Sequence, residues 1–155
     1  MKKKYLKWVI VIVLITIFCV SLYNDSVFEF LPGKTDFVSF YDGAFQDYTD
    51  FEKYTFKASK RLTKKLENHK YLKPVKNEDI EHLTGIIENF GLWIEDKEIY
   101  TEFDLDISCV DEEDYFYIEK EDIIERDDGR KWYGYYDLYY FDTQSMQGYF
   151  MHNNI

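Results

Sequence analysis

The sequence predicts an α+β domain that follows a single N-terminal transmembrane helix. Three observations lead to this prediction: an apolar run near the N-terminus, helical spacing of apolar residues in the middle of the chain, and two-residue alternation in its second half. Helical segments followed by a run of strands are typical of α+β domains. We therefore expect an antiparallel meander of about four strands with two or three helices on one face.

Residues 1–23 are predicted to be cytoplasmic lysines and a membrane anchor. Four lysines precede an apolar run of about 16 residues, which as a helix is about 24 Å long against a hydrocarbon core of ~30 Å. The first part of this run consists of Trp8, Val9, Ile10, Val11, Ile12, Val13, Leu14 and Ile15. Because the lysines precede the run, we expect a single-pass protein of the cell membrane with a cytoplasmic N-terminus and the domain outside.

A secreted soluble acidic domain, released by signal cleavage, is the alternative to an anchor. A signal peptidase cleaves after small residues, and residues 19–21 are the candidate cleavage site here. Bulky Leu22 and Tyr23 follow them, which makes this a weak site. This arrangement favours an uncleaved anchor. Phe18 before Cys19 also argues against a lipoprotein signal.

After the anchor we expect a juxtamembrane spacer at residues 24–35 and the extracytoplasmic α+β domain at residues 36–155. Pro32-Gly33 is a turn signal within the spacer. Apolar residues then recur with i, i+3, i+4, i+7 spacing, which predicts a helix capped by Thr35 and running to Tyr48. Alternation over residues 54–58 predicts a short strand.

Two further helices are predicted from capping residues. Ser59 is a suitable N-cap for a helix with Leu62 and Leu66 on one face. Asn77 is expected to cap the next helix, whose first turn is acidic and which is expected to end at Gly91.

The second half of the chain is predicted to be β-structure. Apolar and polar residues alternate through it, a charged turn is expected at residues 111–114, and Asp128-Gly129 is a two-residue hairpin signal. The predicted strands are residues 98–109, 115–119 with an extension to 124, 132–141 and 147–152.

The charge of the outer domain excludes nucleic acid as a partner. Four of the nineteen basic residues precede the apolar run, so the rest of the chain has fifteen basic and thirty acidic residues and a net charge of −15. Such a surface repels phosphate backbones and favours a basic protein partner or cations. Cys19 belongs to the predicted anchor, so Cys109 has no partner for an internal disulfide.

The sequence contains no motif for nucleophilic catalysis, a cofactor or a transition metal. His69, His82 and His152 lie outside any serine or cysteine motif, and a calcium loop is absent. The carboxylates around Asp104 and Asp106 are the alternative site. They suggest a small carboxylate-dependent hydrolase with a raised pKa at that place, or calcium binding.

The segment Trp132–Phe141 contains five tyrosines and is the most unusual part of the domain. A central strand buried on both faces has this composition, and so does a half-exposed strand whose tyrosines stack on sugar rings or dock a protein. The predicted recognition surface consists of Tyr133, Tyr135, Asp137 and Tyr139.

The chain resembles short single-span membrane-anchored proteins of low-GC Gram-positive bacteria. The resemblance lies in the anchor and in two segments near the C-terminus, YYFDT at residues 139–143 and YFMHNNI at residues 149–155. The resemblance implies an anchored outer domain and carries no activity, cofactor or catalytic residue. From the anchor, the acidity and the tyrosine-rich sheet, we expect a non-enzymatic extracytoplasmic protein that recognises another envelope component, in an immunity-type or accessory role.

Overall fold

The computed structural model describes residues 27–44, 47–95, 101–125 and 131–154. The chain forms two compact units, residues 1–30 and residues 31–155, and only a turn at residues 27–30 is described in the first. The predicted anchor lies outside the described residues. Within the described ranges, no helix has the length and apolar character needed to cross a membrane.

The second unit is an α+β domain, as predicted, with a six-stranded antiparallel sheet and two helices. The strands are β1 (Lys34–Ala44), β2 (Asp47–Phe56), β3 (Lys73–Pro74), β4 (Tyr115–Glu125), β5 (Lys131–Asp142) and β6 (Gln147–Asn154). The helices are α1 (Lys60–Glu67) and α2 (Asn77–Ile94), with a short 3₁₀ helix at Ile107–Cys109. The strand order is β1-β2-β6-β5-β4-β3, so β6 joins the β1–β2 pair to the rest of the sheet.

The helix predicted from Thr35 to Tyr48 is wrong, because residues 34–44 form strand β1. The segment satisfies both periods: Val38 and Phe40 pack against the core, while Phe37 and Tyr41 on the opposite side are exposed. Pairing with β2 along the whole strand decides in favour of β-structure. Aromatic and β-branched residues favour such a pleated surface over a helix. The predicted turn at Pro32-Gly33 is present, and Gly33 has a φ of 90°.

Both predicted helices near the middle of the chain are confirmed, with changes at the ends of the second. Ser59 caps α1 by accepting a hydrogen bond from the Leu62 backbone N–H at 3.1 Å. The N-cap of α2 is Lys76 rather than Asn77, because the Asp79 carboxylate accepts from the Lys76 backbone N–H at 3.0 Å. Helix α2 also continues past Gly91 to Ile94, whose buried side chain keeps the last turn in the core.

The strand predicted at residues 98–109 is wrong for the described part, residues 101–109. This segment is irregular and ends in the 3₁₀ helix, which Asp106 caps through the Ser108 backbone N–H at 2.9 Å. Its side chains nevertheless alternate as predicted, with Leu105 in the core and Phe103 packed against Phe51 at a ring-centroid distance of 5.7 Å. The alternation of residue types therefore predicted which side chains are buried, but it did not predict whether the segment pairs as a strand.

From residue 111 onward, the predicted turn and strands are confirmed where the structure describes them. Strand β4 extends to residue 125, and β5 and β6 pair across a turn at residues 143–146. The Asp128-Gly129 turn lies outside the described residues, although Glu125 and Lys131 on either side of it are paired. Two more strands than expected, β1 and β3, complete the sheet.

Strand β5 lies between β4 and β6, and side chains on both of its faces are buried. One side of the sheet, which we call the helix face, packs against α2 and includes Phe51, Leu138 and Met151. The opposite side, which we call the second face, includes Asp137 and His152.

A buried carboxylate fixes one end of β5 to the turn before β4. Asp114 accepts hydrogen bonds from the Tyr140 hydroxyl, from the Thr143 backbone N–H at 2.8 Å and from the Asp111 backbone N–H at 3.2 Å. Burial raises the pKa of Asp114, and the hydrogen bonds from Thr143 and Tyr140 oppose that rise. Three separate parts of the chain depend on this one side chain.

The substitution Asp114→Ala should lower the free energy of unfolding by about 3 kcal/mol, because it leaves the Tyr140 hydroxyl and two backbone N–H groups unpaired in the interior. Urea unfolding followed by circular dichroism measures this change. Glu113→Ala, an exposed position in the same turn, is the control and should change stability by less than about 0.5 kcal/mol. Equal effects of the two substitutions would contradict the role given to Asp114.

Helix α2 approaches β5 closely at Gly85. A Cβ atom at this position would lie 2.5 Å from the Tyr133 hydroxyl oxygen. We expect Gly85→Ala to destabilise the protein by about 1 kcal/mol, because the clash outweighs the gain in helix propensity. In a Tyr133→Phe background, which lacks the hydroxyl, the nearest remaining ring atom is 3.2 Å from the added Cβ, and the destabilisation should become smaller. A double-mutant cycle by urea unfolding tests this, and additive effects would contradict it.

Candidate functional site

Two carboxylates and a histidine meet at the middle of the second face. In the sheet register, His152 of β6 is directly opposite Asp50 of β2 on one side and Asp137 of β5 on the other. Directly opposed residues have their side chains on the same face, with Cβ atoms about 4.5–5.5 Å apart. The three side chains therefore form a row across three neighbouring strands.

The His152 imidazole is held by one of its two nitrogens. Its Nδ1 makes a hydrogen bond with Asp137 Oδ1, and the side chain of His152 is buried, at 4% exposure. Its Nε2 is buried as well and has no hydrogen-bond partner among the residues that the structure describes. A buried nitrogen of this kind costs free energy unless something binds to it.

Asp50 is the other half-buried acid of this row. Burial raises its pKa above the ordinary value, the positive charge that His152 can carry lowers it, and the nearby Asp137 carboxylate raises it further. Burial is the largest of these effects. The domain therefore keeps a carboxylate where its charged form is disfavoured, which is common at binding sites and active sites.

The row of charged groups is part of a continuous row of aromatic rings that crosses the second face. In spatial order it consists of Tyr71, Tyr117, Tyr139, Phe150, His152, Tyr48 and Tyr41, with successive ring centroids 4.3–6.4 Å apart. The two ends are the most exposed, with Tyr41 at 62% and Tyr71 at 39%. The rings near His152 are half-buried, so the centre of the row is more protected than its ends.

Three of the four residues of the predicted recognition surface lie together on the second face. Tyr135 donates a hydrogen bond to Asp137 Oδ2 at 3.3 Å, and Tyr139 belongs to the aromatic row. Tyr133 lies instead on the helix face, in the core beside α2. A register shift between β4 and β5 is the cause, since Asp122 pairs with Tyr135 and the next residue pairs with Tyr133.

The predicted carboxylate site around Asp104 and Asp106 is occupied by structural contacts. The Asp104 carboxylate accepts from Lys53 Nζ at 2.8 Å and from the Tyr149 hydroxyl at 3.0 Å, which ties residues 101–106 to β2 and β6. The hydrogen bond from Ser108 lowers the pKa of Asp106, whereas the hydrolase hypothesis requires a raised pKa. Both side chains are exposed.

The remaining histidines and the cysteine make local contacts. His82 Nε2 bonds Glu121 at 2.8 Å, and His69 Nδ1 accepts from the Leu72 backbone N–H at 3.2 Å. Cys109 is a half-buried free thiol in the 3₁₀ helix. Within residues 27–44, 47–95, 101–125 and 131–154, no group of three His, Cys, Asp or Glu side chains is placed to hold a metal ion.

Sequence reasoning missed the role of His152, which it placed only near the C-terminus. Its partner Asp137 lies fifteen residues away, and Asp50 lies on a strand that was predicted only from residue 54 onward. The sequence signal that could have placed His152 was the two-residue period of the strand predicted at residues 147–152, which puts Phe150 and His152 on the same face. Comparisons with family models, with curated proteins and with solved structures found no match to this chain.

The raised pKa of Asp50 gives a pH-dependent prediction. Because the folded pKa lies above the unfolded value, the stability that Asp50 contributes is fully present below the unfolded pKa and is lost as pH rises through the folded pKa. The substitution Asp50→Asn replaces the carboxyl group with an amide that does not ionise, so the variant does not lose this stability as the pH rises. The variant should be more stable than the wild type at about pH 7, and the difference should shrink toward about pH 3.5.

Urea unfolding at both pH values measures the difference, with Asp122→Asn as the control. Asp122 is an exposed carboxylate that lies on the same face of β4 as the predicted surface, so its substitution should have little effect at either pH. If Asp50→Asn were less stable at about pH 7, the attraction between Asp50 and His152 would outweigh burial, contrary to this assignment.

Proposed function

We propose that this protein is a non-enzymatic, membrane-anchored extracytoplasmic protein whose second face binds a basic protein of the cell envelope. The observation that carries the proposal is the aromatic row, which crosses the sheet around two carboxylates and ends in exposed tyrosines. Tyrosine is enriched in protein interfaces because its ring packs while its hydroxyl group remains hydrogen-bonded. The anchor and the outward orientation come from the sequence prediction.

The charge of the second face supports a basic partner. On strands β2, β6, β5 and β4 its carboxylates outnumber its cations. The carboxylates are Asp50, Glu52, Asp122 and Asp137, and the cation among the described residues of these strands is Lys120. Beyond these strands, Lys34 lies over Phe37 and Lys70 lies over Tyr71. The whole chain has a net charge of −11. A partner with lysine and arginine at its surface is attracted to such a face, and an acidic partner or nucleic acid is repelled.

Binding accounts for this face better than hydrolysis does. The Asp137 carboxylate already has two hydrogen-bond partners within the domain, the His152 imidazole and the Tyr135 hydroxyl. Its oxygens are therefore engaged in contacts within the domain. Lys120 also forms a hydrogen bond with Tyr135 at the edge of the same group. Such a network holds side chains in fixed positions, as a recognition surface requires.

The proposal is tested by cross-linking and affinity capture from native membranes with the full chain. The variant Tyr41→Ala/Tyr48→Ala/Tyr135→Ala removes three half-buried or exposed rings that are not part of the α2 core. We expect capture of a basic protein by the wild type and at least a tenfold loss of capture by the variant, because aromatic residues provide much of the energy of interfaces.

The matched control is Leu92→Ala, which removes an exposed apolar side chain from α2 on the other side of the sheet. This variant should retain capture. Capture that survives the triple tyrosine substitution, or that is lost equally in the control, would contradict the second face as the binding surface. Circular dichroism of each variant separates loss of binding from loss of folding.

A further inference from the structure

The central group of the second face has the chemistry of a specific cation subsite. His152 Nδ1 faces the Asp137 carboxylate, so the proton on Nδ1 is donated to that acid. In the neutral imidazole this leaves Nε2 as a hydrogen-bond acceptor. Nε2 is buried and has no partner among the described residues, so a ligand with an N–H or O–H donor would satisfy it.

The surroundings of Nε2 select a donor with positive charge. Asp50 lies directly opposite His152 on β2, and the charges of the two groups affect each other. With both flanking carboxylates ionised, the group has a net charge of −2 with neutral histidine and −1 with protonated histidine. An anionic ligand is therefore disfavoured in both states.

The chemistry of the group favours a guanidinium over an ammonium ion. The two acceptors, Nε2 and the Asp50 carboxylate, belong to neighbouring residues of adjacent strands, and a planar guanidinium can donate to two such acceptors at once. Tyr48 stacks on the imidazole at 4.3 Å, and Tyr135 approaches it edge-on at 5.6 Å. Aromatic walls of this kind suit the flat, weakly hydrated guanidinium better than an ammonium group.

We propose that His152 and Asp50 form a subsite for an arginine side chain of the protein partner, with guanidinium N–H groups donating to His152 Nε2 and to the Asp50 carboxylate. Tyr48 is half-buried and stacks on the face of the imidazole, and Nε2 is fully buried, so a ligand reaches Nε2 only when neighbouring side chains move. The subsite rests on the proposed function, because it gives the anchor point of a basic partner on the same face.

The experiment uses the full chain in detergent micelles and two small probes, N-acetyl-L-arginine amide and its neutral isostere N-acetyl-L-citrulline amide, at matched ionic strength. Imidazole nitrogen and carbon resonances are followed by NMR, with His152→Gln used to assign the His152 signals. The arginine probe should shift the His152 resonances in a saturable way, and the citrulline probe should not.

His82 provides an internal control, since its Nε2 is already bonded to Glu121 at 2.8 Å. Its resonances should not respond to either probe. Asp50→Asn should lower the affinity of the protein for the arginine probe at least tenfold. Glu121→Gln, the matched substitution beside His82, should leave that affinity unchanged. Equal shifts with citrulline, equal shifts at His82, or unchanged affinity in Asp50→Asn would each overturn the subsite.

The two proposals fail in different ways. If the arginine probe does not bind but a basic protein is captured through the tyrosines, the subsite is wrong and the proposed function stands. If the probe binds and no protein is captured, the site binds a guanidinium group, but the proposed function is wrong and so is the assignment of that group to a protein partner. Comparing the arginine probe with N-acetyl-L-lysine amide tests the choice of guanidinium, since equal affinity for the lysine probe would overturn that choice.

Discussion

The antiparallel pairing of β5 with both β4 and β6 is the constraint on which the rest of the domain depends. Strand β5 is paired on both edges and buries side chains on both of its faces, and it carries tyrosines at many of these positions. Each buried hydroxyl then needs a polar partner. The buried Tyr140 hydroxyl donates a hydrogen bond to Asp114, and the half-buried Tyr135 hydroxyl donates one to Asp137. Part of the acidity that the composition displays is therefore required inside the domain and is not only a property of its surface.

The elements that the sequence predicted best are those in which local pattern and long-range pairing agree. Residues 132–141 and 147–152 alternate in character, and a short turn separates them, so pairing was the natural outcome. Residues 35–48 satisfy two periods at once, and only the distant partner β2 selects the strand. Residues 101–109 show the limit of periodicity, since alternating burial arose there in a segment that follows the core without joining the sheet.

The site was predictable in composition and not in arrangement. Tyr135, Asp137 and Tyr139 could be selected because they alternate along an aromatic segment, and they do share a face. Tyr133 was placed with them because a strict two-residue period was assumed, and one register shift moves it to the other face. The approach of Asp50 to His152 depends on the pairing of β2 with β6, about a hundred residues apart, which a single sequence does not reveal.

The position of β6 between β2 and β5 has a consequence for the order in which the domain forms. Until residues 147–154 are available, β2 has no neighbour other than β1, and β5 has none other than β4. The two pairs become one sheet in the same step that brings His152 between Asp50 and Asp137. The long-range contacts that this step requires make it slow compared with the formation of either pair. The row around His152 is therefore complete only in a fully folded domain.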